Sequence, residues 1–213
     1  MRRVSRSAAF AIALTMVFAA TSFAQDPNGA RAGRWEVSAF PGGGVFFTEG
    51  DTSESPDFGE YGLGGSFTFN VNRWIGIEGE VGAGLSVDQD LNFGSTTVSS
   101  AKVPHSLAYN GSVIYSVIGN DRAFAPYVAG GLGGLTFFNR DDVQALGLTR
   151  DDTFLAGNVG GGAKFFLSPH WGVRGDYRFF IVDGKEDAPG FFGLNETRYG
   201  HRVYGGFVFT GGR

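Results

Sequence analysis

Hydrophobic and polar residues alternate with a period of two along eight segments of the chain. In the seventh segment Trp171, Val173 and Tyr177 share one face, while Arg174 and Asp176 share the other. Because successive side chains of a strand point to opposite faces, this period predicts β-strands with one apolar face. The segments span residues 34–47, 61–71, 74–86, 105–116, 124–138, 153–167, 171–181 and 199–209.

The connections between these segments alternate between short and long. The short ones lie at 72–73, 119–122 and 168–170, and the long ones are 48–60, 87–104, 139–152 and 182–198. Short periplasmic turns and long extracellular loops are typical of outer-membrane barrels, and a sheet in hydrocarbon must close because unpaired backbone groups are costly there. We therefore predict an all-β protein, an eight-stranded antiparallel up-and-down transmembrane β-barrel in the bacterial outer membrane, with both termini periplasmic.

The N-terminus has the composition of a secretory signal peptide. Arg2, Arg3 and Arg6 precede the apolar run 8–20, and Ser22-Phe23-Ala24 fits a cleavage site with small residues. The alternative is an anchor helix, but the run is shorter than the roughly 20 residues that span a bilayer. The predicted organisation is a signal peptide at 1–24, a periplasmic segment at 25–33 and a barrel at 34–213.

Composition excludes several classes of site and partner. The chain has 36 glycines and no cysteine, so disulfides, thiolate metal sites and cysteine nucleophiles are excluded. Without residues 1–24 it carries 14 basic and 21 acidic residues, a net charge of −7. This argues against a nucleic-acid partner, because phosphate binding requires clustered Lys and Arg.

Sorting the charges by the predicted topology leaves none of them on a lipid-facing position. The long loops hold 15 acidic and five basic residues, and the inward faces hold four of each sign. The inward set is Glu36, Glu78, Glu80, Asp176, Lys164, Arg174, Arg178 and Arg202. Because a narrow lumen desolvates its charges, we expect them to pair and to fill the barrel. The alternative is that they line a narrow pore for ions or small solutes.

The acidic loops are expected to form a solvated, repulsive surface. An alternative is that Asp141-Asp142 and Asp151-Asp152 bind divalent cations shared with lipopolysaccharide phosphates, since carboxylate oxygens suit Ca²⁺ and Mg²⁺.

Aromatic residues concentrate near the ends of the predicted strands. Trp35, Trp74 and Trp171 lie near the short turns. The pairs Phe46-Phe47, Phe137-Phe138 and Phe179-Phe180 lie toward the long loops. Two such girdles are expected at the two membrane interfaces.

The sequence predicts no enzyme, no catalytic residue, no metal site and no cofactor. His105, His170 and His201 are not at ligand spacing, and His105 and Ser106 point to opposite faces of a strand. The glycine run 130–134 lacks the lysine and the helix of a phosphate loop. An outer-membrane lipid-modifying enzyme remains the enzymatic alternative.

Four motifs resemble the small outer-membrane β-barrel family that includes OmpA-like and OmpX-like proteins. Residues 167–178 resemble its penultimate hairpin, 126–133 its fifth strand, and 72–78 its second periplasmic turn. Residues 204–209 are similar to the C-terminal signal of the family, which usually ends the chain, whereas Thr210-Gly211-Gly212-Arg213 follow here.

The resemblance implies an integral outer-membrane protein that acts in envelope structure or in surface interaction through its four acidic loops. Its expected partners are outer-membrane lipid, lipopolysaccharide, the barrel-insertion machinery and periplasmic chaperones. We expect a monomer. The fold itself does not choose among structural proteins, adhesins, pores and lipid-modifying enzymes.

Overall fold

The computed structural model describes residues 33–48, 56–93, 96–139, 150–185 and 196–211. The predicted signal peptide lies outside these residues and stays a prediction. The described residues form ten strands, of which eight build the barrel and β4 and β5 form a separate hairpin. The barrel strands are β1 (Trp35–Thr48), β2 (Phe58–Asn70), β3 (Ile75–Ser86), β6 (His105–Ser116), β7 (Phe124–Phe138), β8 (Asp152–Phe166), β9 (Trp171–Val182) and β10 (Arg198–Gly211).

The eight strands close into one antiparallel barrel, as the sequence predicts. Their order round the wall is β1-β10-β9-β8-β7-β6-β3-β2. Closure is made by β1, in which Trp35 pairs with Phe69 on one side and with Gly211 on the other. The sheet therefore leaves no unpaired edge. Within the described part of the chain, no helix is long and apolar enough to cross a membrane.

The two ends of the barrel differ in their connections, and we call them the turn end and the loop end. At the turn end, the Asn72 side chain accepts hydrogen bonds from the amides of Trp74 and Ile75, at 2.7 and 2.8 Å. Gly119 takes a φ of +89°, which favours glycine. The strand ends that flank the connections 49–57, 87–104, 139–151 and 183–197 all lie at the loop end.

The connection 87–104, which the sequence predicted as a loop, contains a hairpin. Strands β4 (Gln89–Phe93) and β5 (Thr96–Ala101) pair in antiparallel fashion. Leu91 and Val103 are fully buried against the apolar interior of the loop end. Few apolar residues occur in this stretch, so its sequence did not stand out, and packing over the mouth of the barrel orders it.

Alternation between exposed and buried side chains runs through every barrel strand. In β9 the residues Trp171, Val173 and Tyr177 face outward, and Arg174 and Asp176 face inward, as predicted. The described residues place all eleven charged side chains of the barrel strands in the interior. The outer surface of the barrel wall is therefore free of charge in these strands.

Three charged residues assigned to loops from the sequence lie inside the barrel instead. Glu60 belongs to β2, Asp152 to β8 and Arg198 to β10, and all three are buried. The predicted strands stopped short of these residues because a charge at a strand end is ambiguous. Each one continues the inward period of its own strand, however, and the closed wall shields it. The interior therefore holds six acidic and five basic residues rather than four of each.

Candidate functional site

A network of ion pairs crosses the middle of the barrel. Arg174 of β9 contacts Glu78 of β3 through Nη1 and Nη2, at 2.5 and 3.2 Å. Its Nη2 also contacts Asp176 at 2.9 Å. The Tyr127 hydroxyl donates to Asp176 at 2.6 Å and accepts from Arg174 Nε at 2.8 Å. All four side chains are buried, so each charge depends on its partners rather than on water.

Two further arginines, which are paired in register on β9 and β10, extend the network. Arg178 contacts Glu78 at 2.9 Å and Asp176 at 3.0 Å. Arg202 binds both carboxylate oxygens of Glu80 and contacts Asp176 at 3.2 Å. Bidentate binding of this kind fixes the plane of the guanidinium group. Charge-assisted hydrogen bonds are also stronger than those between neutral groups. Six of the eight inward charges predicted from the sequence therefore form one connected network.

The remaining two predicted residues form a separate pair nearer the turn end. Lys164 of β8 contacts Glu36 of β1, and Asn70 donates a second hydrogen bond to Glu36 at 2.8 Å. The Lys164 ammonium lies 5.4 Å from the centre of the Tyr127 ring, which is within the range of a cation–π contact. Tyr127 thus lies between the pair and the network.

Neutral polar residues on the inward faces complete the network. Ser66 and Thr68 donate to Glu78 at 3.1 and 2.9 Å, and Ser38 and Ser66 accept from Arg174. Arg178 donates to Asn158 at 3.1 Å. All four occupy inward-facing positions in the alternation of their strands. The alternation of polar and apolar residues in the sequence therefore indicates that they face the interior.

Above the network, toward the loop end, the interior becomes aromatic. Phe47 packs against Phe58 and Phe137 with ring centres 4.8 and 5.4 Å apart, and Phe154 packs on Phe137 at 6.0 Å. Together with Phe180 these five side chains form what we call the aromatic plug, which Leu91 and Val103 cover.

The aromatic plug corrects the predicted outer girdle. Phe47, Phe137 and Phe180 were expected at the membrane interface, but they are buried inside the barrel. Their neighbours in sequence point outward, and Phe46 is 50% exposed. Because adjacent residues of a strand point to opposite faces, each Phe-Phe pair splits between the girdle and the interior.

Little space is left between the network and the aromatic plug. One cavity of about 20 Å³ lies there, bordered by Ser106, Asn110, Arg202 and Tyr204, and it has room for roughly one water molecule. The described residues therefore leave no continuous channel through the barrel at this level.

Glu60 is exceptional among the buried carboxylates. It accepts one hydrogen bond, from the Ser106 hydroxyl at 2.5 Å, and its second oxygen has no hydrogen-bond partner. Ser106 does not form a nucleophile–base dyad with His105. Its hydroxyl donates to Glu60, and His105 Nδ1 accepts a hydrogen bond from the Ser86 amide at 2.9 Å.

The three tryptophans lie together at the turn end. Trp35 begins β1, Trp171 begins β9 and pairs with Phe209, and Trp74 directly precedes β3. Each is about 40% exposed on the outer surface.

The carboxylate pairs considered for cations do not form a metal site in the described residues. Asp151 is exposed and accepts a hydrogen bond from the Asn139 amide at 2.7 Å, whereas Asp152 faces inward and contacts Arg150. Asp141 and Asp142 lie outside the described residues. Within the described ranges, no group of three or more His, Cys, Asp or Glu side chains could hold a metal ion.

The family model of the outer membrane protein beta-barrel domain matches residues 10–199 of this sequence. The chain belongs to this family. Among curated proteins, none is significantly similar to it in sequence.

Solved structures of outer-membrane barrels superpose on this family member over most of their length. The N-terminal β-barrel domain of Pseudomonas aeruginosa OprF has 15% identity and a TM-score of 0.53, covering 85% of this chain and 100% of that one. OprG from Pseudomonas aeruginosa has 19% identity and a TM-score of 0.51, covering 88% and 100%. Neisserial surface protein A has 11% identity and a TM-score of 0.55, covering 84% and 98%.

These similarities agree with the architecture of the barrel described above. At such identities the structural likeness shows the fold alone, and the family match places the protein in the bacterial outer membrane. As a member of the outer membrane protein beta-barrel family, the chain presents its uncharged wall to lipid and its ion pairs to the interior.

Proposed function

We propose that the protein is a non-enzymatic and non-conducting barrel that contributes to envelope structure. This proposal rests on two layers that block the interior. They are the charge network in the middle of the barrel and the aromatic plug nearer the loop end. Conduction would require both layers to rearrange. A buried ion pair is costly to break, because a charge left without its partner is destabilised by about 3–5 kcal/mol.

We further propose that the loop end is extracellular and that its loops contact the surroundings of the cell. The chain enters β1 and leaves β10 at the turn end, which agrees with periplasmic termini. With Glu60, Asp152 and Arg198 assigned to the interior, the four loop-end connections still carry 13 acidic and four basic residues. A surface of this charge attracts cationic partners and repels anionic ones.

The final strand supports an interaction with the barrel-insertion machinery and periplasmic chaperones during biogenesis. In β10, Phe207 and Phe209 are both about half exposed on the outer surface. Thr210 and Gly211 continue the strand, pairing with Glu36 and Trp35, so the extension past the aromatic residue is part of the barrel wall. We propose that this protein is inserted as a monomer.

Electrical recording in planar lipid bilayers tests the proposal. We expect the purified barrel to give no stable conductance steps, because the interior cavity holds roughly one water molecule. Stable nanosiemens steps would refute the non-conducting barrel and support the narrow pore. A large porin, reconstituted in parallel, is the positive control.

Assays of phospholipid and lipid A turnover address the enzymatic alternative. We expect no product above that of a heat-unfolded sample of the same protein. Product that depends on the folded barrel would contradict the proposal.

A further inference from the structure

The two ends of the barrel carry charges of opposite sign. Outside the strands, the described part of the turn end carries three basic residues and one acidic residue, counting histidine as neutral. They are Arg34, Arg73, Arg122 and Asp121. The four loop-end connections carry 13 acidic and four basic residues. An anionic ligand is therefore attracted to the turn end and repelled from the loop end.

Two neighbouring turns place Arg73 beside Asp121. The Asn120 amide donates a hydrogen bond to the Arg73 carbonyl at 2.8 Å, which joins the turn after β2 to the turn after β6. Arg73 Nη2 lies 3.7 Å from Asp121 Oδ1, and the two side chains are 47% and 31% exposed. An ion pair of this kind is weak in water. It engages one nitrogen of a guanidinium that has five N–H donors, so a phosphate can bind alongside Asp121.

The Arg73 guanidinium lies at the lipid-facing rim of the barrel. Its central carbon is 4.6 Å from the centre of the Trp74 ring. Trp74 in turn stacks on Tyr115 of β6, with ring centres 6.4 Å apart and an angle of 18° between the planes. Both rings are exposed on the outer surface. Because Trp and Tyr side chains concentrate at the headgroup level of a bilayer, the cation lies at the depth of the lipid phosphates.

The wall next to this cation is apolar. Val117 and Ile118 are exposed at the turn end, and Val113 continues the outward face of β6 beyond Tyr115, toward the middle of the barrel. A ligand with an anionic head at Arg73 and apolar chains along the wall matches this division. Phospholipids with a net negative charge have this form.

We propose that the turn end binds an anionic phospholipid through its phosphate, at a site formed by Arg73, Trp74 and Tyr115. This inference rests on the proposed orientation, which places the turn end in the periplasmic leaflet. Arg73 donates to the phosphate, the two aromatic rings contact the glycerol region, and the acyl chains lie along β3 and β6. The Asp121 carboxylate competes with the phosphate for Arg73 and so limits the affinity.

Native mass spectrometry of the barrel, released from detergent micelles that contain phosphatidylglycerol or phosphatidylethanolamine with the same chains, tests the site. We expect wild type to retain more phosphatidylglycerol than phosphatidylethanolamine. Arg73→Gln should lower the retention of phosphatidylglycerol about fivefold, which corresponds to about 1 kcal/mol for a basic side chain at an anionic lipid surface. Equal retention of the two lipids by wild type, or unchanged retention by Arg73→Gln, would overturn the proposal.

Two further variants separate a local site from a general effect of charge. Lys102→Gln removes the same charge from an exposed residue at the loop end, and its retention should equal that of wild type. Asp121→Asn removes the competing carboxylate and should raise the retention of phosphatidylglycerol, which also serves if Arg73→Gln fails to fold. An equal loss in Lys102→Gln, or no gain in Asp121→Asn, would contradict the site. Heat-modifiable migration on gels verifies that each variant is folded.

Glycerol phosphate tests whether the ligand is the whole lipid. We expect far weaker binding than that of phosphatidylglycerol, because glycerol phosphate has no chains to lie on the apolar wall. Equal binding of the two would overturn the assignment to a phospholipid.

The orientation is tested separately, since the chain has no cysteine of its own. His170 is exposed in the turn between β8 and β9, and His170→Cys should not react with a membrane-impermeant maleimide in intact cells. Reaction there would overturn the proposed orientation and the assignment to the periplasmic leaflet, whereas lipid retention decides the site itself.

Discussion

Arg174 and Glu78 meet across the full width of the barrel. Their strands, β9 and β3, are four steps apart round the wall in either direction, so they lie opposite one another. The residues are separated by 96 positions in sequence, yet two of their nitrogen–oxygen distances are 2.5 and 3.2 Å. An ion pair in this position ties the two halves of the cylinder together.

Removing the carboxylate of this pair should destabilise the barrel strongly. Glu78→Gln leaves Arg174 and Arg178 buried with one fewer acidic partner, which should lower the free energy of unfolding by about 3–5 kcal/mol. Urea unfolding in lipid vesicles, followed by tryptophan fluorescence, measures this change. As a comparison, replacing both residues of the pair with apolar ones, in Arg174→Met with Glu78→Leu, should cost less than the single change. A loss below about 1 kcal/mol would show that the pair does not hold the walls together.

Two other buried carboxylates should respond differently to the same substitution. Glu60→Gln keeps the hydrogen bond from Ser106 and loses no ion pair, so stability should change by less than about 1 kcal/mol. Glu80→Gln removes the carboxylate that binds Arg202 in bidentate fashion, and it should lower the free energy of unfolding by about 3 kcal/mol or more. The same unfolding experiment compares them, and equal effects would contradict this reasoning.

The glycines that face Tyr204 should not tolerate a side chain. A Cβ atom on Gly62 would overlap the Tyr204 ring, which is held between Arg202 and Phe40 at 4.3 and 5.2 Å. We expect Gly62→Ala to cost about 1–3 kcal/mol through overpacking. Gly79→Ala is the control, since Gly79 faces outward with no atom within 4 Å of its Cβ position. If the two variants unfold at the same urea concentration, the packing around Tyr204 is looser than described.

The common position of the three tryptophans can be checked without mutation. Trp35, Trp74 and Trp171 all lie at the turn end, so their fluorescence reports one membrane interface. In vesicles made with brominated lipids, bromine near the headgroup should quench more than bromine at the end of the acyl chain. Stronger quenching from the chain end would place the tryptophans at the bilayer centre and contradict the girdle.

The number and order of the barrel strands could be predicted from the sequence because both depend on local patterns. A period of two and the spacing of turn residues are properties of neighbouring positions. Asn72 and Ser168 illustrate this, since each hydrogen-bonds to amides two and three residues further along. The same alternation predicted that Arg174, Asp176 and Arg178 face the interior.

Strand ends and the division of the aromatic residues were harder to predict. Glu60 and Arg198 lie at inward-facing positions of their strands. Only the packing of the neighbouring strands shows that these positions are shielded from water. The Phe46-Phe47 pair splits between the lipid and the aromatic plug, and an aromatic residue suits both environments. The hairpin of β4 and β5 depends on contacts of Leu91 and Val103 with distant strands.

The sequence by itself determined that the chain forms a barrel with an apolar outside and a charged inside, because alternation along each strand assigns every residue to one side. Only the tertiary structure decided which charges are partners and where the interior closes. Those choices depend on which strands lie opposite one another, and the curvature and closure of the wall set that distance. Glu78 and Arg174 are therefore neighbours in space for a reason that no local pattern contains.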